Sequence, residues 1–410
     1  MSNDPTAVGK ASAGRWFVSA LIVSFIAVGL STPILRLFAV DMAREFQVPV
    51  GIVAQFTTAN SIAEVIFALV MSFLAVRFRS KALLLVGGML VVVSALGCFF
   101  APNFEVMLFF FALEGSGSIM VGINGLTLIG DTLALNRKGK TISYTMSATL
   151  LAFLIGTPAV NFIANVAGWR SIFLLFVLPI SVAGLAMAFL SVPSASHEES
   201  FATGKKSYLG SFKEILLNKS AASCLLGGML VSAISIGLFS TTFFMEQFSM
   251  SRDFVVVIGI MATGVSFGAT LVAGQLVNRV GRKTLTIAGV VGSSVLAMLI
   301  FLMPNLWLAV TVDMAHVAFA FVGAIAFTSY VLEQAPKSRG SMMSMRTIFA
   351  SLGDAIGAAV GGGLLVLFAF DLSLSYQMVG FVFGVFGIAA SVVFYFLTID
   401  PTKLDPLPQD

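Results

Sequence analysis

Long, uninterrupted runs of apolar residues recur along the whole chain and are separated by short polar stretches. Each run holds about 20 residues or more, the length at which a helix crosses the hydrocarbon core of a bilayer. Backbone groups inside lipid must satisfy their own hydrogen bonds, so each run is predicted to be a helix. The predicted spans are residues 16–40, 50–76, 82–101, 105–130, 142–166, 171–193, 219–246, 254–277, 284–304, 306–332, 341–369 and 374–398.

The composition indicates a chain that is solvated by lipid. Hydrophobic residues make up 58% of the 410 residues and charged residues only 10%, against about 25% charged residues in soluble proteins. Mean hydropathy is +1.01. Continuous apolar runs disfavour a transmembrane β-barrel, whose strands alternate over about ten residues. The predicted fold class is therefore an all-α integral membrane protein with twelve transmembrane helices.

The basic residues predict the orientation, because cytoplasmic loops carry an excess of Lys and Arg. With the N-terminus inside, only Arg36, Arg44, Arg170 and Arg252 fall outside, which leaves 19 of the 23 Lys and Arg residues inside. Both termini are therefore expected in the cytoplasm, and the protein in the inner membrane as a multi-pass monomer. The first span is too long for a signal-peptide core. The loops explain the net charge of +4, so no nucleic-acid partner is expected.

An internal repeat relates the two halves of the chain. Pro102 matches Pro304 at an offset of 202 residues, and each is followed by asparagine. The same offset places Asp131 on Glu333, at the inner ends of spans 4 and 10. Repeats of this kind indicate two homologous units. Parallel six-span halves that bind substrate between them, near the midplane, are a known transporter architecture.

The longest hydrophilic stretch runs from Pro193 to Asn218 and separates the two sets of spans. The predicted domains are therefore an N-terminal six-helix bundle (1–193), a cytoplasmic linker (194–218) and a C-terminal six-helix bundle (219–410).

The loop between spans 8 and 9 reads Gly-Gln-Leu-Val-Asn-Arg-Val-Gly-Arg-Lys over residues 274–283. It resembles the G-x-x-x-D-R-x-G-R-[KR] signature of the major facilitator superfamily, with Asn278 at the acidic position. The first copy, at 72–81, keeps Arg77 and Lys81 but not the acid or the glycines. Gly168-Trp169-Arg170 before span 6 is similar to a motif of the drug and sugar efflux members. The resemblance implies two pseudo-symmetric six-helix bundles, transport rather than enzymatic activity, and a proton-antiporter subclass.

The resemblance also implies a set of gating residues at the inner ends of the helices. In the family, acids at the ends of helices 4 and 10 pair with arginines of the signature loops, so Asp131 and Glu333 are expected to pair with Arg77 or Arg279. The candidate gating residues are Arg77, Lys81, Asp131, Asn278, Arg279, Arg282 and Glu333.

Ionisable side chains within the spans are candidate functional groups, because burying each costs at least about 2.5–3.5 kcal/mol. Glu114 in span 4 and Asp313 in span 10 lie on helices that line the central cavity in the family. His316 follows Asp313 by three residues, which predicts the same helical face. These groups are expected to face each other across the pathway and to bind protons. The alternative is that they form hydrogen bonds in helix packing and never titrate.

Three further positions are candidates for this cavity. Glu64 and Asp354 lie on helices that meet between the halves in the family, so they either repel each other or bond separately to neighbours such as Asn60 or Ser351. Arg36, four residues before the predicted end of span 1, either reaches the membrane interface, forms an ion pair or binds an anionic substrate. Phe111, within a Phe-rich turn of span 4, is a candidate cavity residue for lipophilic or cationic compounds.

No phosphate-binding loop, metal-ligand cluster or nucleophile triad is visible in the sequence, so neither an enzyme nor a cofactor is expected. The leading hypothesis is a proton-coupled antiporter that exports a small lipophilic or cationic organic compound. One alternative is a proton-coupled importer or uniporter of a nutrient or organic anion. Another is a receptor that binds ligand without transporting it. The expected partners are a small-molecule substrate, protons and the lipid bilayer.

Overall fold

The computed structural model describes residues 16–133, 135–192 and 208–400. In these ranges every regular element is helical, and twelve helical segments are long and apolar enough to cross a membrane. This confirms the predicted all-α fold with twelve spans. Both chain termini lie outside the described residues.

Sixteen α-helices build the described part of the chain. They are α1 (Phe17–Gly29), α2 (Ser31–Phe46), α3 (Val50–Val53), α4 (Gln55–Arg77), α5 (Ser80–Phe100), α6 (Phe104–Thr132), α7 (Leu135–Ala167), α8 (Leu178–Ser191), α9 (Tyr208–Leu217), α10 (Lys219–Ser232), α11 (Ile236–Gln247), α12 (Arg252–Val280), α13 (Arg282–Ile300), α14 (Leu306–Gln334), α15 (Arg339–Leu367) and α16 (Leu372–Leu397).

Two spans are interrupted helices. The first span consists of α1 and α2 and extends to Phe46, six residues beyond the predicted end at Val40. The seventh consists of α10 and α11, which are separated at residues 233–235. The sixth begins with a π-helical turn, Phe173–Val177, before α8. The predicted linker lies outside the described residues as far as 207, and its last part forms α9.

Contacts between residues divide the chain into two compact units. The first comprises Met1–Pro33 and Ile66–Lys205, and the second comprises Ile34–Val65 and Lys206–Asp410. By their contacts, residues 34–65 thus belong with the C-terminal helices. The predicted boundaries at 193 and 219 would instead assign them to the N-terminal bundle. The division into two six-helix bundles joined by a linker stays a prediction.

The internal repeat appears within each unit as the same local structure. The Asn103 side chain caps α6 by accepting from the Val106 amide, and Asn305 caps α14 by accepting from Leu308. Such caps satisfy amides that a helix N-terminus leaves unpaired. Both helices are 29 residues long.

Glycine contacts repeat at the same offset. Gly87 of α5 packs against Gly117 O and Met120 of α6, and Gly289 of α13 packs against Phe319 O and Gly323 of α14. Small residues at these crossings let the helix backbones approach closely, as in other membrane helix pairs.

Replacing Gly289 by alanine should therefore destabilise the C-terminal helices. The added Cβ would lie 2.5 Å from the Gly323 Cα, so α13 and α14 must separate, at an expected cost of about 1–3 kcal/mol. The measurement is the melting temperature of the purified protein. Gly264→Ala is the matched control, because nothing lies within 4 Å of a Cβ at that position of α12. Equal melting temperatures for the two variants would contradict the close crossing.

Candidate functional site

Arg36 lies deep within the first span, not near its end. Helix α2 continues for ten residues beyond it, which corresponds to about 15 Å, and a position of Arg36 at the membrane interface stays a prediction. The hydropathy falls after Val40, but the chain stays helical. Arg36 interacts electrostatically with Asp313 and Asp354, in agreement with the ion-pair alternative. Its side chain remains accessible to solvent.

A glycine of α11 makes room for this guanidinium. A Cβ at Gly237 would lie 2.5 Å from Arg36 Cζ and Nη1, so the flat guanidinium packs directly on the helix backbone. No signal in the sequence distinguishes this glycine from the other 37.

Asp313 is buried in α14, with 6% of its surface exposed. Ser240 of α11 forms a side-chain hydrogen bond with it, and Arg36 attracts it electrostatically. A buried carboxylate needs such partners, because an unpaired charge in low dielectric is very costly. The sequence alone did not identify Ser240, since serine is common in membrane helices.

Glu64 and Asp354 complete a group of charged side chains in the second unit. Ser351 Oγ donates a hydrogen bond to Glu64 Oε2 at 2.7 Å. Asp354, one turn further along α15, interacts electrostatically with both Glu64 and Arg36. Glu64 thus has a hydroxyl partner and also influences Asp354, so features of both sequence-based alternatives are present and the choice between them stays open. We call Arg36, Glu64, Asp313 and Asp354 the charged cluster.

Close packing of residues 34–65 against the C-terminal helices fixes the position of the charged cluster. Gly51 of α3 contacts the Gly362 backbone of α15, so closely that neither position has room for a side chain. Asp41 of α2 forms an ion pair with Arg252 of α12 at 3.0 Å. These contacts hold α3 against α15 and α2 against α12.

The charged cluster combines three carboxyl groups with one guanidinium in the described residues. Fully ionised, it would carry a net charge of −2 in a poorly solvated place. Like charges in low dielectric favour protonation of one member. The arrangement can therefore bind and release protons, and it can attract a cation when the carboxyl groups are ionised.

His316 does not belong to the charged cluster, although it follows Asp313 by three residues. Its Nδ1 lies 2.9 Å from the Ser293 carbonyl oxygen of α13, whereas Asp313 bonds to α11. Three residues turn a helix by about 300°, so the two side chains diverge by about 60° and contact different helices. Asp313 and His316 therefore have different partners, and a role of His316 in proton binding stays a prediction.

Glu114 and Phe111 lie in the first unit and pack against its other helices. Glu114 is 9% exposed and close enough to Cys98 of α5 to influence it electrostatically. Phe111 is 2% exposed and contacts Phe173 edge to face. That Glu114 faces Asp313 across a pathway stays a prediction.

The candidate gating residues differ in their contacts: some form an ion pair or a ring contact, and others are exposed. Glu333 pairs with Arg282 and not with Arg279, whose side chain is exposed, as are those of Arg77 and Asp131. Lys81 lies over the Phe189 ring at 5.8 Å. The side chain of Asn278 lies outside the described residues.

The second signature loop connects helices within the second unit. Gly281 has φ +90°, a conformation that favours glycine, and it forms the turn between α12 and α13. Lys283 Nζ donates to the carbonyl oxygens of Tyr395 and Thr398 at 3.0 and 2.6 Å. The loop thereby ties α13 to the end of α16, and a gating role stays a prediction.

The Arg170 of the G-W-R motif is likewise a structural residue within its unit. Its Nη1 donates to Phe99 O and Ala101 O at 3.2 and 2.7 Å. A cation at the C-terminus of a helix also opposes the helix dipole. The motif therefore caps α5.

Comparison with known proteins identifies the family of the chain. The family model described as Major Facilitator Superfamily matches residues 17–335 and 269–410. Multidrug resistance protein 2 of Bacillus subtilis (strain 168) is 24% identical over 374 residues, which cover 89% of this chain and 91% of that protein. Multidrug resistance protein 1 of the same organism is 23% identical, with coverage of 87% and 89%.

A solved structure supports the fold independently of sequence. The crystal structure of a D-xylose-proton symporter superimposes with a TM-score of 0.75 at 14% identity, covering 94% of this chain and 98% of that one. Together with the twelve helical spans, these similarities show that the chain is a multi-pass membrane protein that belongs to the major facilitator superfamily, whose members are transporters of small molecules and not enzymes.

Proposed function

We propose that this transporter exports a small lipophilic or cationic organic compound in exchange for protons. The observation that carries the proposal is the charged cluster, in which Arg36 interacts with Asp313 and Asp354, and Asp354 interacts with Glu64. Its excess of acid suits a site that holds either protons or a cation. The similarity to two multidrug resistance proteins supports the direction of transport and the substrate class.

In the proposed cycle, cytoplasmic substrate binds while carboxyl groups of the charged cluster are ionised. Reorientation of the two units by alternating access then exposes the site to the outside. Protonation of the carboxyl groups there weakens the attraction for the substrate, which leaves. The protons are released inside after the return step. The proposal places the protein in the inner membrane as a monomer, with both termini in the cytoplasm.

The importer alternative, with Arg36 as an anion site, receives less support. Two carboxyl groups already offset the charge of Arg36, so an incoming anion would meet a cluster with excess negative charge. Similarity to a D-xylose-proton symporter at low identity concerns the fold alone.

The test is transport by the purified protein in liposomes with an imposed pH gradient. The probe is a fluorescent lipophilic cation, and protein-free liposomes are the control. We expect accumulation on the acidic side of the membrane, which stops when a protonophore collapses the gradient. The proposal is rejected if uptake is unchanged after the pH gradient collapses. It is also rejected if an organic anion accumulates and the cation does not.

A further inference from the structure

The second unit contains an internal cavity apart from the charged cluster. Its volume is about 150 Å³, and it lies among helices α10, α13, α14 and α15. No residue of the charged cluster lines it. The walls are mainly apolar, with Arg346 and His316 among the few polar groups.

The cavity follows one face of α14. The lining positions His316, Ala320, Gly323, Ala324 and Phe327 recur at helical spacing. Eleven residues separate His316 from Phe327, which corresponds to about 16 Å along the helix. Arg346 lies over the Phe327 ring at 5.6 Å. The cavity is therefore narrow and long, with a histidine near one end and an arginine near the other.

Arg346 is poorly neutralised at its end of the cavity. Its Nε is buried without a hydrogen-bond partner, and among the described residues the ion pairs join other side chains. A guanidinium that is half-buried in a membrane span usually has an anionic partner. An anionic ligand head that meets the accessible part of this side chain would offset its charge.

The rest of the cavity suits an apolar chain. Leu225, Val231 and Val290 line it together with the small residues of α14. The Nδ1 of His316 is engaged by the Ser293 carbonyl, so this end offers a single ring nitrogen. An apolar cavity of about 150 Å³ holds a molecule the size of benzene, which corresponds to an aliphatic chain of roughly six to eight carbons.

We infer that this cavity binds a medium-chain aliphatic monocarboxylate, with its carboxylate on Arg346 and its chain along α14 towards His316. The site is separate from the charged cluster, so it does not depend on the proposed export function.

The test uses radiolabelled octanoate and the full-length protein in lipid nanodiscs, with binding to empty nanodiscs subtracted. We expect saturable binding in which unlabelled octanoate competes and neutral octanamide does so at least about tenfold more weakly, a difference of about 1.4 kcal/mol. Arg346→Gln should weaken binding by at least a similar factor, and Ala320→Leu should weaken it by filling the cavity. Asp313→Asn should leave octanoate binding unchanged.

Arg339→Gln is the matched control, because Arg339 is an exposed arginine two turns earlier on the same helix. Melting temperatures of all variants separate loss of binding from loss of folding. The inference is overturned if octanamide or octylamine competes as well as octanoate, or if Arg346→Gln binds like Arg339→Gln. Absence of saturable binding to the wild-type protein overturns it as well.

Discussion

Asp313→Asn should abolish transport driven by a pH gradient while leaving the protein folded. Asparagine matches aspartate in shape and can still bond to Ser240, which contacts Asp313 in the buried site. It can neither bind nor release a proton. We expect the rate of gradient-driven uptake to fall at least about tenfold, equivalent to about 1.4 kcal/mol, and exchange without a gradient to persist.

Asp371→Asn provides the control for this prediction. Asp371 caps α16 by accepting from the Leu374 amide, and asparagine serves equally well as a helix cap. The control therefore removes one carboxylate outside the charged cluster without loss of the cap. Equal gradient-driven rates for the two variants would show that Asp313 does not carry the proton coupling. Glu114 in the first unit would then be the next candidate.

The helices of this protein are readily predicted because lipid imposes a simple length rule. Apolar runs marked all twelve spans, and the Pro-Asn repeat marked two equivalent helix starts, which the caps at Asn103 and Asn305 now explain. Local sequence dictates such features, so neither depends on knowing which helices are neighbours.

The end of the first span shows where the length rule fails. Hydropathy falls over residues 41–46, yet α2 continues to Phe46. Part of the polarity there is satisfied by protein, since Asp41 pairs with Arg252 from α12, while Arg44 and Glu45 are exposed. A contact between residues 211 positions apart leaves no trace in local hydropathy, so the apolar run alone predicted an end at Val40.

The charged cluster could be predicted only as a set of separate candidates. Each of Arg36, Glu64, Asp313 and Asp354 stands out as an ionisable residue within an apolar run. Their grouping depends on which way each helix turns, and small angular differences decide it. His316 is an example. Its side chain points about 60° away from that of Asp313 around α14, and it therefore contacts the Ser293 carbonyl of α13 and not the charged cluster.

The unequal number of carboxyl and guanidinium groups connects this packing to function. A balanced ion pair in the same place would be a structural element with little reason to titrate. Here Arg36 can offset only one of three acids, so the protonation state of the charged cluster must respond to its surroundings. We therefore expect the single arginine to affect both the stability of the cluster and the number of protons that it holds.

Arg36→Gln should consequently be the most damaging single substitution in the second unit. It would leave Asp313 and Asp354 without the cation that both now face, so the negative charge of these two carboxyl groups would no longer be offset. We expect a melting temperature several degrees lower and loss of transport at neutral pH. Arg44→Gln, at an exposed position of the same helix, should change neither property appreciably.

The double variant Arg36→Gln/Asp313→Asn separates the two roles of Arg36. Removing one acid together with the cation lowers the repulsion that the single variant creates, so much of the lost thermal stability should return. Gradient-driven transport should stay absent, because the proton-binding group at position 313 is gone. If instead the double variant melts as low as Arg36→Gln, the arginine stabilises the helices through its packing on Gly237 and not through the carboxyl groups. Recovered transport in the double variant would show that neither side chain carries the coupling.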